Sequence, residues 1–481
     1  MNTIQRVAKN TGVLLIAQFI SFILNFFFVM YTARYLSARG YGVLSFALAF
    51  TGIFGVFADF GLGNFTIREV ARNKNMASKY LGNIAVMKLI LVVITFGLII
   101  IIINILGYPE QTVKVIYFLG LSVVFNAFIV MFYSIFQAYE KMEYVSLGQI
   151  LRSVLMLGGA ILAISLEFSV VGFGFIYCVT NFINLVYSFI ISIYSFAKPK
   201  IEIDYNFWKS TIKGALPFFL SSVFSIIVLK IDVIMLSMMQ GDMAVGWYSA
   251  AYKLMEALMF IPSTFVGSLY PVISRFHLSS NESLKKLYQK SFQYLSIIGL
   301  PIAVGTTILA DKIILIIYKG GYVNSIIALK ILIWTTPIIF LTYMFGTMLA
   351  SINRQNITLK IVFLCMLFKV VINLILIPKY SYVGASVATV CTEMLSFILC
   401  YYFLSKFVQK ISIYRFIIKP IIASSIMALF ILLFITMKFF LLICISIAIY
   451  FGTIIVLKAF SEEDLNLFKQ IIMIKQRGVE K

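Results

Sequence analysis

Charge is scarce in this 481-residue chain. Only 12% of residues are Asp, Glu, Lys or Arg, against 62% hydrophobic. Soluble globular chains carry about 25% charged and about 45–50% apolar residues. The deficit excludes a water-soluble enzyme, and the apolar excess excludes a disordered basic protein. Acids are scarcer than bases, 18 against 39, for a net charge of +21. On a soluble surface that balance would suggest nucleic acid. Spread around long apolar runs it points to a membrane, and no nucleic-acid partner is expected.

Metal and redox chemistry are equally short of ligands. There is one histidine, His277, and the five cysteines (Cys178, Cys365, Cys391, Cys400, Cys444) all lie in apolar stretches with no CxxC pair. They read as small buried hydrophobes. No metal site, haem or iron–sulfur cluster is expected, and no cofactor. A G-x-x-x-x-G-K-[ST] phosphate loop is absent, so the chain has no ATP-driven motor of that type. The two-residue alternation of a β-barrel is also missing.

Long apolar runs fill the sequence. After Arg6 and Lys9, residues 11–33 form a run too long for a signal peptide and long enough to cross ~30 Å of hydrocarbon at ~1.5 Å per residue. Runs of spanning length recur near 42–62, 83–107, 113–139, 147–166, 169–197, 214–238, 246–270, 291–310, 325–350, 357–377, 382–404, 412–436 and 439–458. The expectation is an all-α integral membrane protein of about fourteen transmembrane helices, because backbone groups in lipid must be satisfied internally. Pro217, Pro262, Pro271, Pro301 and Pro337 are expected to interrupt helices. With these spans, 26 basic residues fall on the side holding both termini and seven on the other. The basic side faces the cytoplasm, which places both termini there.

The sequence also repeats. Gly42 follows Leu36-Ser37-Ala38-Arg39-Gly40-Tyr41, and Gly246 occupies the corresponding place, 204 residues later, between the seventh and eighth spans. Gln137-Ala138 through Val171-Gly172 corresponds to Leu349-Ala350 through Val383-Gly384 at an offset of 212. Two six-helix repeats are expected, 1–200 and 201–410, with an additional helix pair at 411–458 and a cytoplasmic tail at 459–481. Parallel repeats of this kind mark transporters, with the substrate site between the halves.

Charges inside the spans are candidates for that site, since each is costly in hydrocarbon. Asp59, Lys88 and Arg152 lie within about five residues of a predicted helix end, where long stems can snorkel. Lys230 and Asp232 lie near the outer end of the seventh span. Lys253 and Glu256, spaced i, i+3, share one face of the eighth. Lys369 and Glu393 are expected at matched depth on consecutive helices. Two readings remain open: ion pairs that lock helices together, or a water-accessible chamber. A positive chamber suits a phosphate group, and the acids suit a coupling proton or sodium ion.

Leu36-Ser37 through Gly40-Tyr41-Gly42, then Ala58-Asp59-Phe60-Gly61-Leu62-Gly63, then Arg68-Glu69-Val70-Ala71-Arg72 resemble the polysaccharide-biosynthesis membrane proteins. These are the O-antigen-type flippases of the multidrug/oligosaccharidyl-lipid/polysaccharide exporter superfamily. The resemblance implies a V-shaped bundle of two six-helix lobes, alternating access, and transport of a polyprenyl-pyrophosphate-linked oligosaccharide across the cell membrane. It implies no enzyme activity. Its motif residues here are Gly40, Gly42, Asp59, Gly61 and Arg68. Related peptidoglycan-precursor flippases carry basic residues early in the first helix, whereas the interior of that span here carries only uncharged polar residues such as Gln18 and Asn25. A cation-coupled multidrug exporter of the same superfamily is the alternative. A membrane glycosyltransferase would need a large extramembrane domain, and no loop exceeds about twenty residues.

Overall fold

The computed structural model describes residues 3–196, 202–279, 281–408, 410 and 412–459. The expected tail beyond 459, the repeat boundary at 200/201, and the basic residues Lys198, Lys200, Lys469, Lys475, Arg477 and Lys481 lie outside them. So do the side chains of Arg6, Lys9, Arg275 and His277.

Among the described residues every regular element is helical. The long helices are α1 (Thr3–Asp59), α2 (Leu62–Arg72), α3 (Ala77–Ile105), α4 (Glu110–Ala138), α5 (Met142–Ser165), α6 (Val170–Ser195) and α7 (Tyr205–Gln240). They continue with α8 (Asp242–Ala257), α9 (Phe260–Ser279), α10 (Asn281–Tyr318), α11 (Ser325–Leu332), α12 (Thr335–Ser351), α13 (Gln355–Phe407), α14 (Ile413–Leu433) and α15 (Phe439–Val456). This is a multi-pass, all-α membrane protein. Its surface carries large exposed apolar side chains, such as Ile16, Val93, Leu162 and Val456, which a lipid environment accommodates and water does not.

Eleven described helical stretches are long and apolar enough to cross a membrane. The difference from fourteen lies in three places. α1 and α13 each run through a break, at Ser37 (φ 58°, ψ 177°) and Ser381 (φ 51°, ψ −134°), so each holds two arms of spanning length. The eighth expected span is two shorter helices, α8 and α9, parted at Leu258-Met259. Of the expected proline interruptions, those at Pro262 and Pro337 fall just after breaks, between α8 and α9 and between α11 and α12, while those at Pro217 and Pro301 are corrected. Pro217 and Pro301 lie inside continuous helices. Pro262 and Pro337 sit in the first turns of α9 and α12, where the missing N–H has no partner to lose.

Packing divides the chain into two compact units. One holds Met1–Lys253, Ile317–Ala328 and Leu359–Thr392; the other holds Leu254–Ile316, Leu329–Thr358 and Glu393–Lys481. In the first, Leu62, Phe65, Leu81, Ile84, Phe132, Ile135, Phe136 and Ala215 form a core. In the second, Ile297, Leu309, Met427, Leu442, Tyr450 and Ile454 pack α10 against α14 and α15. Beside that core lies an apolar cavity of about 330 Å³, lined by residues including Pro301, Gly305, Ile431, Ile447 and Tyr450.

The start of α7 is anchored by polar contacts. Asp204 caps it, accepting from the Phe207 N–H at 3.0 Å. Lys79 donates to the same carboxylate at 2.8 Å. Buried Asn83 accepts from the Asp204 N–H and the Trp208 indole N–H, at 3.1 and 3.0 Å. The Lys79 bond first, and the Phe207 bond second, hold the Asp204 carboxyl below its ordinary value. Its stabilising contribution is therefore present above the unfolded carboxylate pKa and is lost as pH falls through the lower folded value.

Candidate transport site

The family motif is a corner. α1 ends at Asp59, and the chain turns through two residues with positive φ, Phe60 (50°) and Gly61 (72°), into α2. A Cβ on Gly61 would lie 2.7 Å from the Phe219 nitrogen and 2.8 Å from the Ala215 oxygen of α7. Both backbone sign and space therefore require glycine. Phe60 stacks on Phe219 with centroids 4.2 Å apart, and the Arg68 guanidinium lies over the rings of Phe65 and Phe218 at 5.1 and 5.6 Å. Gly61→Ala is expected to cost about 2–4 kcal/mol from the left-handed backbone and the contact with α7. A chemical denaturation midpoint of the purified protein checks this, and an unchanged midpoint would refute it.

Asp59 does not behave as a solvated end residue. It pairs with Lys88 at 2.5 Å, and its other carboxylate oxygen accepts from the Gly63 N–H at 3.4 Å. Lys88 is fully buried and also donates to the Ala127 carbonyl of α4 at 2.7 Å. The snorkelling expectation for Lys88 is thus corrected. α3 begins at Ala77, so Lys88 stands about 16 Å along it and finds its partner inside.

The second motif position is a seam. A Cβ on Gly42 would run into the carbonyl oxygen of Asp242, and a Cβ on Gly246 into that of Ala38. The two glycines matched in sequence thus face each other, each opening room for the other segment's backbone. Around them the Tyr322 hydroxyl donates to the Ala33 carbonyl at 2.7 Å and the Arg34 guanidinium to that of Ile317 at 2.7 Å. The Tyr318 hydroxyl donates to the Ala250 carbonyl at 3.1 Å. Gly40 has a looser role: its Cβ would approach only the Leu36 side chain, at 3.1 Å.

The densest polar centre surrounds Asp232, which is wholly buried rather than solvated near a helix end. Lys369 lies 2.6 Å from its Oδ2. The Tyr248 hydroxyl donates to that oxygen at 2.8 Å and the Thr389 hydroxyl at 3.1 Å. Asn373 donates to Oδ1 at 2.6 Å. Lys369 also donates to the Val228 carbonyl at 2.7 Å. The carboxylate is charge-matched and surrounded by donors, which is what a buried acid requires. The expected matching of Lys369 with Glu393 is corrected: the Lys369 ammonium is taken by Asp232.

Asn373, Tyr248 and Thr389 are uncharged, so the search for intramembrane charge passes over them. Asn373 stands i+4 from Lys369 on the same helix face, and Tyr248 lies two residues past the repeat glycine. Those placements were the available signals. Lys230, Lys253, Glu256 and Glu393 are partly buried, and each makes an interaction of its own. Lys253 and Glu256 fall in the last turns of α8, directly before the break at Leu258-Met259.

Arg152 also differs from its expected shallow position. It lies ten residues past Met142 in the 24-residue α5, about 15 Å in, and its side chain is exposed. No cluster of His, Cys, Asp or Glu able to hold a metal occurs among the described residues.

An all-helical, multi-pass fold with paired intramembrane charges and matched glycine repeats defines a membrane transporter architecture. The chain belongs to the polysaccharide biosynthesis protein family, whose model matches residues 7–277. The MatE family model matches residues 217–375. The chain is 22% identical over 414 residues to a Haloferax volcanii protein named "Probable low-salt glycan biosynthesis flippase Agl15", covering 84% of each. It is 22% identical to the capsular polysaccharide biosynthesis protein CapF of Staphylococcus aureus, covering 82% of this chain and 99% of that one. In fold it is similar to the lipid II flippase MurJ in an inward closed conformation (TM-score 0.75, 18% identity, 91% of this chain and 97% of the other).

Proposed function

We propose that this chain is a flippase that moves a polyprenyl-(pyro)phosphate-linked oligosaccharide across the cytoplasmic membrane by alternating access, serving surface-polysaccharide biosynthesis. The match to the polysaccharide biosynthesis family over 7–277 carries this reading, and the flippase name of the Haloferax relative supports it. The chain is read as a transporter and not an enzyme. Both termini are proposed to be cytoplasmic, on the 26-to-7 asymmetry of basic residues. The six-plus-six-plus-two division is proposed on the facing of Gly42 and Gly246. The apolar cavity beside α14 and α15 suits an isoprenoid chain, which offers no hydrogen-bonding group to its walls.

Lys230, Lys253, Glu256 and Glu393 are proposed to give the transport path its polar lining. A discontinuous helix bearing charges beside its break is a recurrent site element in transporters, and α8 with Lys253 and Glu256 has that form. In liposomes carrying a fluorescent polyprenyl-pyrophosphate oligosaccharide, Lys253→Ala and Glu256→Ala are each expected to slow flipping at least about tenfold, the effect of one charged contact, at equal protein content. Two variants with wild-type rates would reject the assignment.

The MatE match favours a second reading, a cation-coupled multidrug exporter. Against it, the Asp232 charge is already matched by Lys369, which leaves that carboxylate no charge for a free cation. Gradient-dependent ethidium efflux without glycan flipping would decide for the exporter.

A further inference from the structure

Arg152 is an intramembrane cation that no acid neutralises among the described residues. Lys88 is committed to Asp59 and the Ala127 carbonyl, and Lys369 to Asp232 and the Val228 carbonyl. Arg152 has no hydrogen bond or ion-pair partner among the described residues. It stands about 15 Å along α5, too deep for a side chain of ~6–7 Å to reach an interface by snorkelling. It also lies off the centre of the exposed apolar stripe of its own helix, of which Leu162 (62% exposed) comes nearest, at about 80°. Leu147, Val154 and Ile161 are 55%, 50% and 52% exposed, and at ~100° per residue Arg152 is rotated about 140° from Leu147.

Polar side chains lie on its own helix and on the helices packed against it, α1, α4 and α6. The neighbouring Ser153 hydroxyl lies 3.4 Å from the Asn25 amide of α1, and Tyr133 donates to Asn184 at 3.0 Å. A permanently charged, exposed guanidinium at this depth must face water or an anion. Its planar fork matches phosphate oxygens.

We propose that Arg152 binds the phosphate-bearing head group of the transported lipid from α5. This rests on the flippase reading and adds an anion contact on a helix that neither the family motif nor the charged α8 break includes. The shared chemistry is a phosphate ester on an isoprenoid or glycerol lipid, and the test separates the two.

Wild type, Arg152→Ala and Arg152→Lys would be placed in phosphatidylcholine nanodiscs and titrated with farnesyl pyrophosphate and with farnesol. Arg152→Ala is expected to weaken farnesyl pyrophosphate binding about tenfold or more, the effect of losing a charged hydrogen bond. Farnesol binding and the melting temperature should not change, and Arg152→Lys should fall between. Unchanged pyrophosphate binding in Arg152→Ala, or equal loss of farnesol binding, overturns the proposal. Displacement of the probe by phosphatidylglycerol in the disc assigns the residue to bulk phospholipid and also overturns it. In cells lacking their own exporter, a wild-type chain that fails to restore glycan export rejects the flippase reading. A wild-type chain and Arg152→Ala that restore it equally reject only the assignment of Arg152.

Discussion

Asp232→Ala and Lys369→Ala are each expected to destabilise the protein by about 3–5 kcal/mol, the cost of leaving one member of a buried ion pair without the other. The pair is almost wholly excluded from solvent: Asp232 is 0% exposed and Lys369 2%. Removing Lys369 leaves a carboxylate with three neutral donors and no opposing charge. Removing Asp232 strands the ammonium on the Val228 carbonyl and takes the acceptor from Asn373, Tyr248 and Thr389. The double variant Asp232→Ala/Lys369→Ala removes both charges. It should therefore lose less than the sum of the two single variants, by about 1–3 kcal/mol. Denaturant titrations of the purified variants measure all of these. Additive effects, or single variants within about 0.5 kcal/mol of wild type, would show that the pair does not hold α7 to α13.

Gly42→Ala and Gly246→Ala are expected to open the seam they share. In each variant the new methyl must displace a carbonyl of the opposite segment, an overpacking cost of about 1–3 kcal/mol. Ala38, whose carbonyl faces Gly246, is 6% exposed, so a reporter there senses the opening. In an Ala38→Cys background, Gly246→Ala should raise the rate of labelling by a water-soluble maleimide about tenfold, the equivalent of ~1.4 kcal/mol. Because both glycines serve one contact, combining them should add little. Unchanged labelling in both variants would mean that the segments part without cost and that the close approach has no mechanical role.

The fold was legible because lipid solvation leaves few options. An apolar run of twenty or more residues must be a helix, and most spans followed from that alone. What hydropathy does not contain is backbone torsion. Ser37 and Ser381 fall in the gaps that the apolar pattern leaves, 34–41 and 378–381, but hydropathy does not give their torsions, and α8 ends at Ala257 inside an apolar run. Partner choice was the other gap. Consecutive helices point Lys369 toward Glu393, while its partner comes from α7, far earlier in the chain. A long stem permits Lys88 to snorkel, yet the motif acid Asp59 is within its reach. The repeat was readable in the glycines at 42 and 246. That each makes room for the other segment's backbone was not, since sequence similarity carries no distance.

The corner at Asp59 behaves as a joint shared by four helices. One of its oxygens accepts from the Gly63 N–H in the first turn of α2, and the other holds an ammonium that is tied in turn to the backbone of α4. Tilting α2 away from α1 must lengthen one of these bonds or drag Lys88, and with it the local geometry of α3 and α4. The stiffness of the motif is therefore set by charge as well as by packing. Replacing Asp59 with Asn would leave the corner's shape in place while loosening its connection to the two neighbouring helices.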